Sequence, residues 1–301
     1  MEAQSMVGRS DGGQPPANLD PAEVREHVHG LWASVATSWG EHADYVDERG
    51  AEATEQLLNL TRPEPGERVL ELACGPGNLG LAAAERVGPS GEVVLSDVVE
   101  EMTTIAAARA ERRGLSNTTA RVLDIESIDE PDASYDVVLC REGLMFAAEP
   151  ARAAAEITRV LKPGGRVAIA VWGPRSRNPW LGVLLDTVAA QLGRPIPPPG
   201  MPGPFALEDA SLLHGLLTGA GLHDVAIREL PAPLRDASFD EWWTRTSALA
   251  GPIAKLLAAL PDEAVDELRG RLREAVHPYE TSAGLDFPGV ILLASGHRPS
   301  A

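Results

Sequence analysis

The chain has 301 residues, 44% hydrophobic and 23% charged, enough for one large α/β domain with an added cap. Its formal charge of −18, with Lys162 and Lys255 the only lysines, argues against a nucleic-acid partner, which needs clustered cations, and favours a small-molecule one. No run approaches the roughly 20 apolar residues that span a bilayer, and two cysteines, Cys74 and Cys140, give no disulfide framework.

Residues 1–19 are rich in Gly, Pro, Ser and Asn without apolar periodicity, which predicts a disordered tail. The start, Met1 to Ser5, has no apolar signal-peptide core, so the expected compartment is the cytoplasm. Order begins at Asp20-Pro21-Ala22-Glu23, where a capping acid, a proline at the first helical position and a glutamate three residues on make a helix start. Trp39, His42 and Tyr45 follow at steps of three and share one face if the helix continues. A helical lid over 20–60, closed by a second helix at 51–60, is the expectation.

From there strands and helices alternate. Strands are predicted at 68–73, 92–96, 120–123, 135–139 and 166–172, with helices at 79–87, 99–113 and 151–161 between most of them. Apolar strands separated by helices mean a parallel sheet covered on both faces, here a core over 61–175. Residues 174–204 include a proline-rich loop, Pro195 to Gly200. A helix at 208–219, a strand at 224–230, helices over 238–280 and a strand at 288–295 complete the region 176–301, with a helical substrate cap at about 235–285 between the last two strands.

The first strand ends in a glycine turn, Gly75-Pro76-Gly77-Asn78-Leu79-Gly80, that runs into a helix. Glycines there let the backbone turn and approach a ligand, and the first N–H groups of the helix face the same gap. That is a cofactor site. The turn fits G-x-G-x-x-G, and Asp97 lies twenty residues after Gly77, as a dinucleotide fold requires. Three acids weigh against NAD, however: Glu71 before the glycines, Asp97 closing the second strand and Asp124 closing the third.

On these residues the sequence resembles the class I S-adenosylmethionine-dependent methyltransferases. Glu71, Gly75 and Gly77 match the first family motif, with Ala73 where its first glycine stands, and Asn78 completes the turn. The resemblance makes Asp97 the ligand of the ribose hydroxyls, Val98 and Met102 the apolar residues beside the adenine, and Asp124-Ile125 the segment at its amino group. Leu161 to Gly165 fit the turn before the fifth strand. Cys140 is expected in the cofactor-site wall. Cys140 to Phe146 and Val171 to Pro174 look like the UbiE-like small-molecule branch, with Arg141 and Glu142 where two glutamines are usual. The resemblance implies a Rossmann-like, seven-stranded, mostly parallel sheet whose last strand is antiparallel.

All six tryptophans lie outside 60–171, in elements expected to roof the carboxyl edge of the sheet, where open α/β folds bind ligands. They suggest an enclosed pocket for an aromatic or polycyclic acceptor, with Trp39, Tyr45, Arg141, Met145, Trp172 and Trp243 as its lining. His42 and Glu142 are the candidate bases. The expected function is methyl transfer from S-adenosylmethionine to a small molecule, of the kind used in secondary metabolism, with no metal, nucleic acid or membrane involved. The rival readings are a non-catalytic S-adenosylmethionine-binding regulator and an NAD-dependent oxidoreductase.

Overall fold

Four helices precede the sheet: α1 (Pro21–Ala33), α2 (Ala36–Glu41), α3 (Ala43–Arg49) and α4 (Ala51–Thr61). The computed structural model describes residues 20–300, so the tail expected over 1–19 lies outside the described residues. As the sequence suggests, Asp20 caps α1 by accepting the Ala22 N–H at 2.9 Å.

The sheet is built from β1 (Arg68–Leu72), β2 (Glu92–Asp97), β3 (Thr118–Val122), β4 (Tyr135–Arg141) and β5 (Leu161–Trp172), linked by α5 (Asn78–Val87), α6 (Glu100–Arg112) and α7 (Pro150–Val160). Beyond β5 come α8 (Pro179–Leu192), α9 (Ala210–Gly219), β6 (His223–Pro231), β7 (Leu234–Asp236), α10 (Phe239–Leu249), α11 (Gly251–Ala259), α12 (Asp262–Val276), β8 (Glu280–Thr281), β9 (Gly284–Phe287) and β10 (Val290–His297). The seven-stranded sheet has the order β3-β2-β1-β4-β5-β10-β6. Only β10 runs antiparallel, to both β5 and β6. The Rossmann-like architecture implied by the resemblance is therefore present.

β1 lies near the middle because Val69, Leu70 and Leu72 are apolar on both faces, and all three are buried. Each such side chain contributes about 1.5–3 kcal/mol on leaving water. β1 pairs in parallel with β2 on one side and β4 on the other, which brings the carboxyl ends of all three strands together. Over that edge, α1 packs on α11 and α2 on α10, so the N-terminal helices and the helices between β6 and β10 share one roof.

The structure departs from expectation at three places. The helix through Trp39, His42 and Tyr45 is not continuous: His42 is the joint between α2 and α3, with φ −100° and ψ 16°. Ahead of the proline-rich loop, where no helix is expected, stands α8, whose Trp180, Leu181, Leu184, Leu185 and Val188 are buried. So nearly continuous an apolar run shows little helical periodicity and is flanked by prolines that signal loop. β7, β9 and β8 also form a small second sheet, from segments too short to carry alternation.

Candidate active site

The glycine turn after β1 uses left-handed backbone three times, at Ala73 (φ 52°), Gly75 (φ 51°) and Gly77 (φ 91°). At Ala73, where the family motif has glycine, the Cβ makes this conformation cost roughly 1–2 kcal/mol. The turn is held by carboxylates. Asp97 accepts the Gly75 N–H at 2.9 Å and the Val99 N–H at 3.0 Å on its two oxygens, and Glu71 Oε2 accepts the Gly80 N–H at 2.9 Å.

A cavity of about 130 Å³ opens above this turn. Its walls include Glu71, Ala73, Gly75, Asp97, Val98, Met102, Asp124 and Ile125, which the sequence groups together from three separate segments. Arg141 lines this cavity as well, and not the neighbouring one as expected; its guanidinium donates to the Gly50 carbonyl and to Thr54 Oγ1 at 2.8 Å. Three further residues expected at the cofactor lie off this wall. Asn78 and Cys140 do not line the cavity, since Asn78 is already in α5 and Cys140 is wholly buried in the strand, under Gly143. Gly77 is also off the wall: a Cβ on it would lie 2.9 Å from the Ala106 Cβ. Its glycine serves the packing of the turn on α6, 29 residues downstream. Gly77→Ala should therefore lower stability by about 2–4 kcal/mol, through this clash and the positive φ, while the folded protein keeps its ligand affinity. Urea unfolding beside a binding titration checks this; unchanged stability with lost affinity would restore the ligand-contact reading.

Burial dominates the titration of the acids. It pushes the Glu71 carboxyl up to about 8, against the Arg141 charge and the Gly80 N–H. It also raises Asp97, opposed by the N–H groups of Val99 and Gly75. A raised carboxyl favours the folded state while protonated. For Glu71 that contribution is complete below about pH 4.5, its ordinary value, and disappears as pH rises through about 8. Glu71→Gln should flatten this fall and raise the melting temperature of the ligand-free protein by several degrees at alkaline pH, with little change in acid. Scanning calorimetry across the window tests it, and parallel curves for parent and variant would contradict it.

A second cavity, of about 350 Å³, lies beside the first, and Val28, Trp32, Trp39, Glu142 and Phe146 line both. Trp32 stands edge-on to Trp39, with centroids 5.6 Å apart, and to Phe146 at 4.9 Å, so these rings form a partition. The Trp39 indole N–H donates to the Leu249 carbonyl at 2.9 Å and ties the partition to α10. Tyr45, Met145, Trp172 and Trp180 continue the wall, with Trp172 and Trp180 edge-on at 5.0 Å. Burial raises the Tyr45 phenol above its ordinary range.

Glu142 stands at the junction with a left-handed backbone (φ 59°), the kind of costly conformation that clusters at functional sites. Its N–H donates to the Ala170 carbonyl, and its side chain pairs with Arg49 at 3.5 Å. Arg49 in turn lies over the rings of Trp172 and Trp180. His42 lines neither cavity; the break between α2 and α3 turns its ring onto the Ser38 carbonyl, 2.9 Å from Nδ1. Trp243 is likewise absent from both walls and is packed into the core.

Sequence reasoning missed Trp180, hidden in the unexpected helix, and Arg49, one turn beyond Tyr45. It also missed the pair Arg25–Glu126 in the wall of the smaller cavity, 2.9 Å apart, with Glu126 accepting the Ala148 N–H. The position of Glu126, two residues after Asp124, was the available signal.

Residues 63–179 match the family model described as "Methyltransferase domain". The chain is 32% identical over 179 residues to the ubiquinone/menaquinone biosynthesis C-methyltransferase UbiE of Cupriavidus necator, covering 54% of this chain and 73% of that one. It is 33% identical over 208 residues to the nocamycin O-methyltransferase of Saccharothrix syringae, covering 63% and 72%. Among solved structures, the YcgJ protein of Bacillus subtilis superimposes with a TM-score of 0.59 at 19% identity, covering 83% of this chain and 100% of that one, a likeness of fold.

Proposed function

The chain belongs to the class I S-adenosylmethionine-dependent methyltransferases, in their UbiE-like branch, and from that premise we propose that it methylates a small, flat aromatic or polycyclic acceptor held in the 350 Å³ cavity. The observation that carries this reading is the pair of adjoining cavities sharing an aromatic partition and one carboxylate, Glu142.

The smaller cavity fits S-adenosylmethionine. Each Asp97 oxygen already receives one backbone N–H and keeps a lone pair for a ribose hydroxyl. Val98, Met102 and Ile125 offer an apolar slot for adenine, with Asp124 beside it, and Gly75 leaves room for the methionine tail. Asp97 and Asp124 supply negative charge towards a cation. Bound there, S-adenosylmethionine supplies an electrophilic methyl group on a positively charged sulfur.

The remaining chemistry belongs to the chain. Trp32, Trp39 and Phe146 exclude water between the two cavities, and Trp172 and Trp180 hold the acceptor body, so that positioning provides much of the acceleration. Glu142 takes the proton of an acceptor hydroxyl as the methyl arrives, and Arg49 keeps its carboxylate oriented. The relatives' names speak of C- and O-methylation; a carboxylate at the junction suits the loss of a proton from either an activated carbon or a hydroxyl.

Release of S-adenosylhomocysteine on incubation with S-adenosylmethionine and a panel of phenols, quinols and polycyclic enols tests the reading. Tight donor binding with no product from any of them, set against turnover of a small aliphatic amine, would overturn the acceptor class. Helices α1 and α2 supply Arg25, Val28, His29, Trp32 and Trp39 to the smaller cavity and act as its lid in this proposal. Hydrogen exchange over 21–48 should slow when S-adenosylhomocysteine is added, whereas unchanged exchange would make these helices ordinary core.

A further inference from the structure

The two cavities carry opposite charge. Asp97, Asp124 and Glu126 line the smaller one alone, beside the largely protonated Glu71, and outnumber its two arginines, Arg25 and Arg141, as suits a cationic methyl donor. In the larger cavity the only acid in the wall is Glu142, and Arg49 already holds it. Arg194 and Lys255 also line that wall, with no further acid in it to answer them among the described residues. Both are exposed, which puts them at its rim. In a chain of formal charge −18 with two lysines, a cavity of this sign is not what composition alone would produce.

The cavity thus presents surplus positive charge around an apolar body, to which Trp172 and Trp180 contribute their rings.

We propose that the acceptor is an anion: a flat, largely apolar molecule carrying a carboxylate or a comparably acidic enol, which Arg194 and Lys255 hold at the rim while the nucleophile lies at Glu142. The proposal rests on the larger cavity being the acceptor site. Charge at the rim also draws such a molecule towards a protein that would otherwise repel it. The anchoring acid and the methylated group are separate on this assignment, because the cations at the rim and the carboxylate at the partition lie at different parts of the wall.

Anthraquinone-2-carboxylate and its uncharged primary amide share one flat body and differ in charge, and quenching of tryptophan fluorescence reports both. The carboxylate should bind at least about tenfold more tightly than the amide at low salt, and the gap should narrow as salt is added. Arg194→Gln/Lys255→Gln should bring the two dissociation constants within about twofold of each other, chiefly by weakening the carboxylate. Equal binding of the two probes to the parent protein, or a preference that survives the double substitution, would overturn the proposal. Calorimetry with S-adenosylhomocysteine on every variant reports the fold and the methyl-donor site independently, so failure of the methyltransferase reading would be seen there and not in the probe ratio.

Discussion

Replacing Asp97 with alanine should lower the affinity for S-adenosylhomocysteine by at least about 100-fold, the largest effect expected of any substitution in the smaller cavity. Two charge-assisted hydrogen bonds to the ribose would be lost, each worth roughly 1.5–3 kcal/mol. The same carboxylate also closes the turn, since Gly75 and Val99 donate their N–H groups to it. Without it two backbone donors lose their partner at a site only 8% exposed, at a further cost to folding of about 2–4 kcal/mol. Stability and affinity should therefore fall together, in contrast to Gly77→Ala. Asp97→Asn retains one acceptor oxygen and should be intermediate in both. Titration calorimetry with S-adenosylhomocysteine and urea unfolding separate the two losses; parental affinity in a folded Asp97→Ala protein would remove Asp97 from the donor site.

Turnover is expected to depend most on Glu142. Glu142→Gln preserves size and backbone strain while removing the proton acceptor, so kcat should drop about 10²–10⁴-fold with S-adenosylhomocysteine binding near parental. Glu142→Gly supplies an internal control: it relieves the left-handed φ of 59° and should be about 1 kcal/mol more stable, yet as inactive as the glutamine variant. Arg49→Ala removes the ion pair at 3.5 Å and should lower kcat far less than Glu142→Gln does, the mark of a positioning residue. His42→Ala, lining neither cavity, should turn over like the parent. A Glu142→Gln enzyme with parental kcat would mean that positioning alone carries methyl transfer.

The difference between these two residues and the mistaken candidates has a physical pattern. Asp97 was legible because it ends a β-branched strand just before a helix, a local arrangement that sets its backbone and points it at the carboxyl edge. Glu142 follows β4 in the same way. His42 was placed by counting steps of three, and that count fails wherever a helix breaks. Neither α2 nor α3 has a side-chain N-cap, and the sequence around Ser38 to Ala43 carries no proline to announce the joint. Trp243 and Trp180 both pack into the core, yet only Trp180 also borders the larger cavity, because packing between distant helices decides which rings reach its wall.

By itself the sequence determined the alternation of strands and helices, the parallel sheet, the glycine turn and the three acids at strand ends. All of these are set within a few residues, by hydropathy period and by backbone conformations that particular residues tolerate. Only the tertiary structure decided that Gly77 answers to Ala106 and that Arg141 lines the smaller cavity. The opposite charge of the two cavities was likewise settled only by folding. Each of these depends on atoms from segments tens of residues apart, brought within a few ångströms by packing that no local pattern encodes.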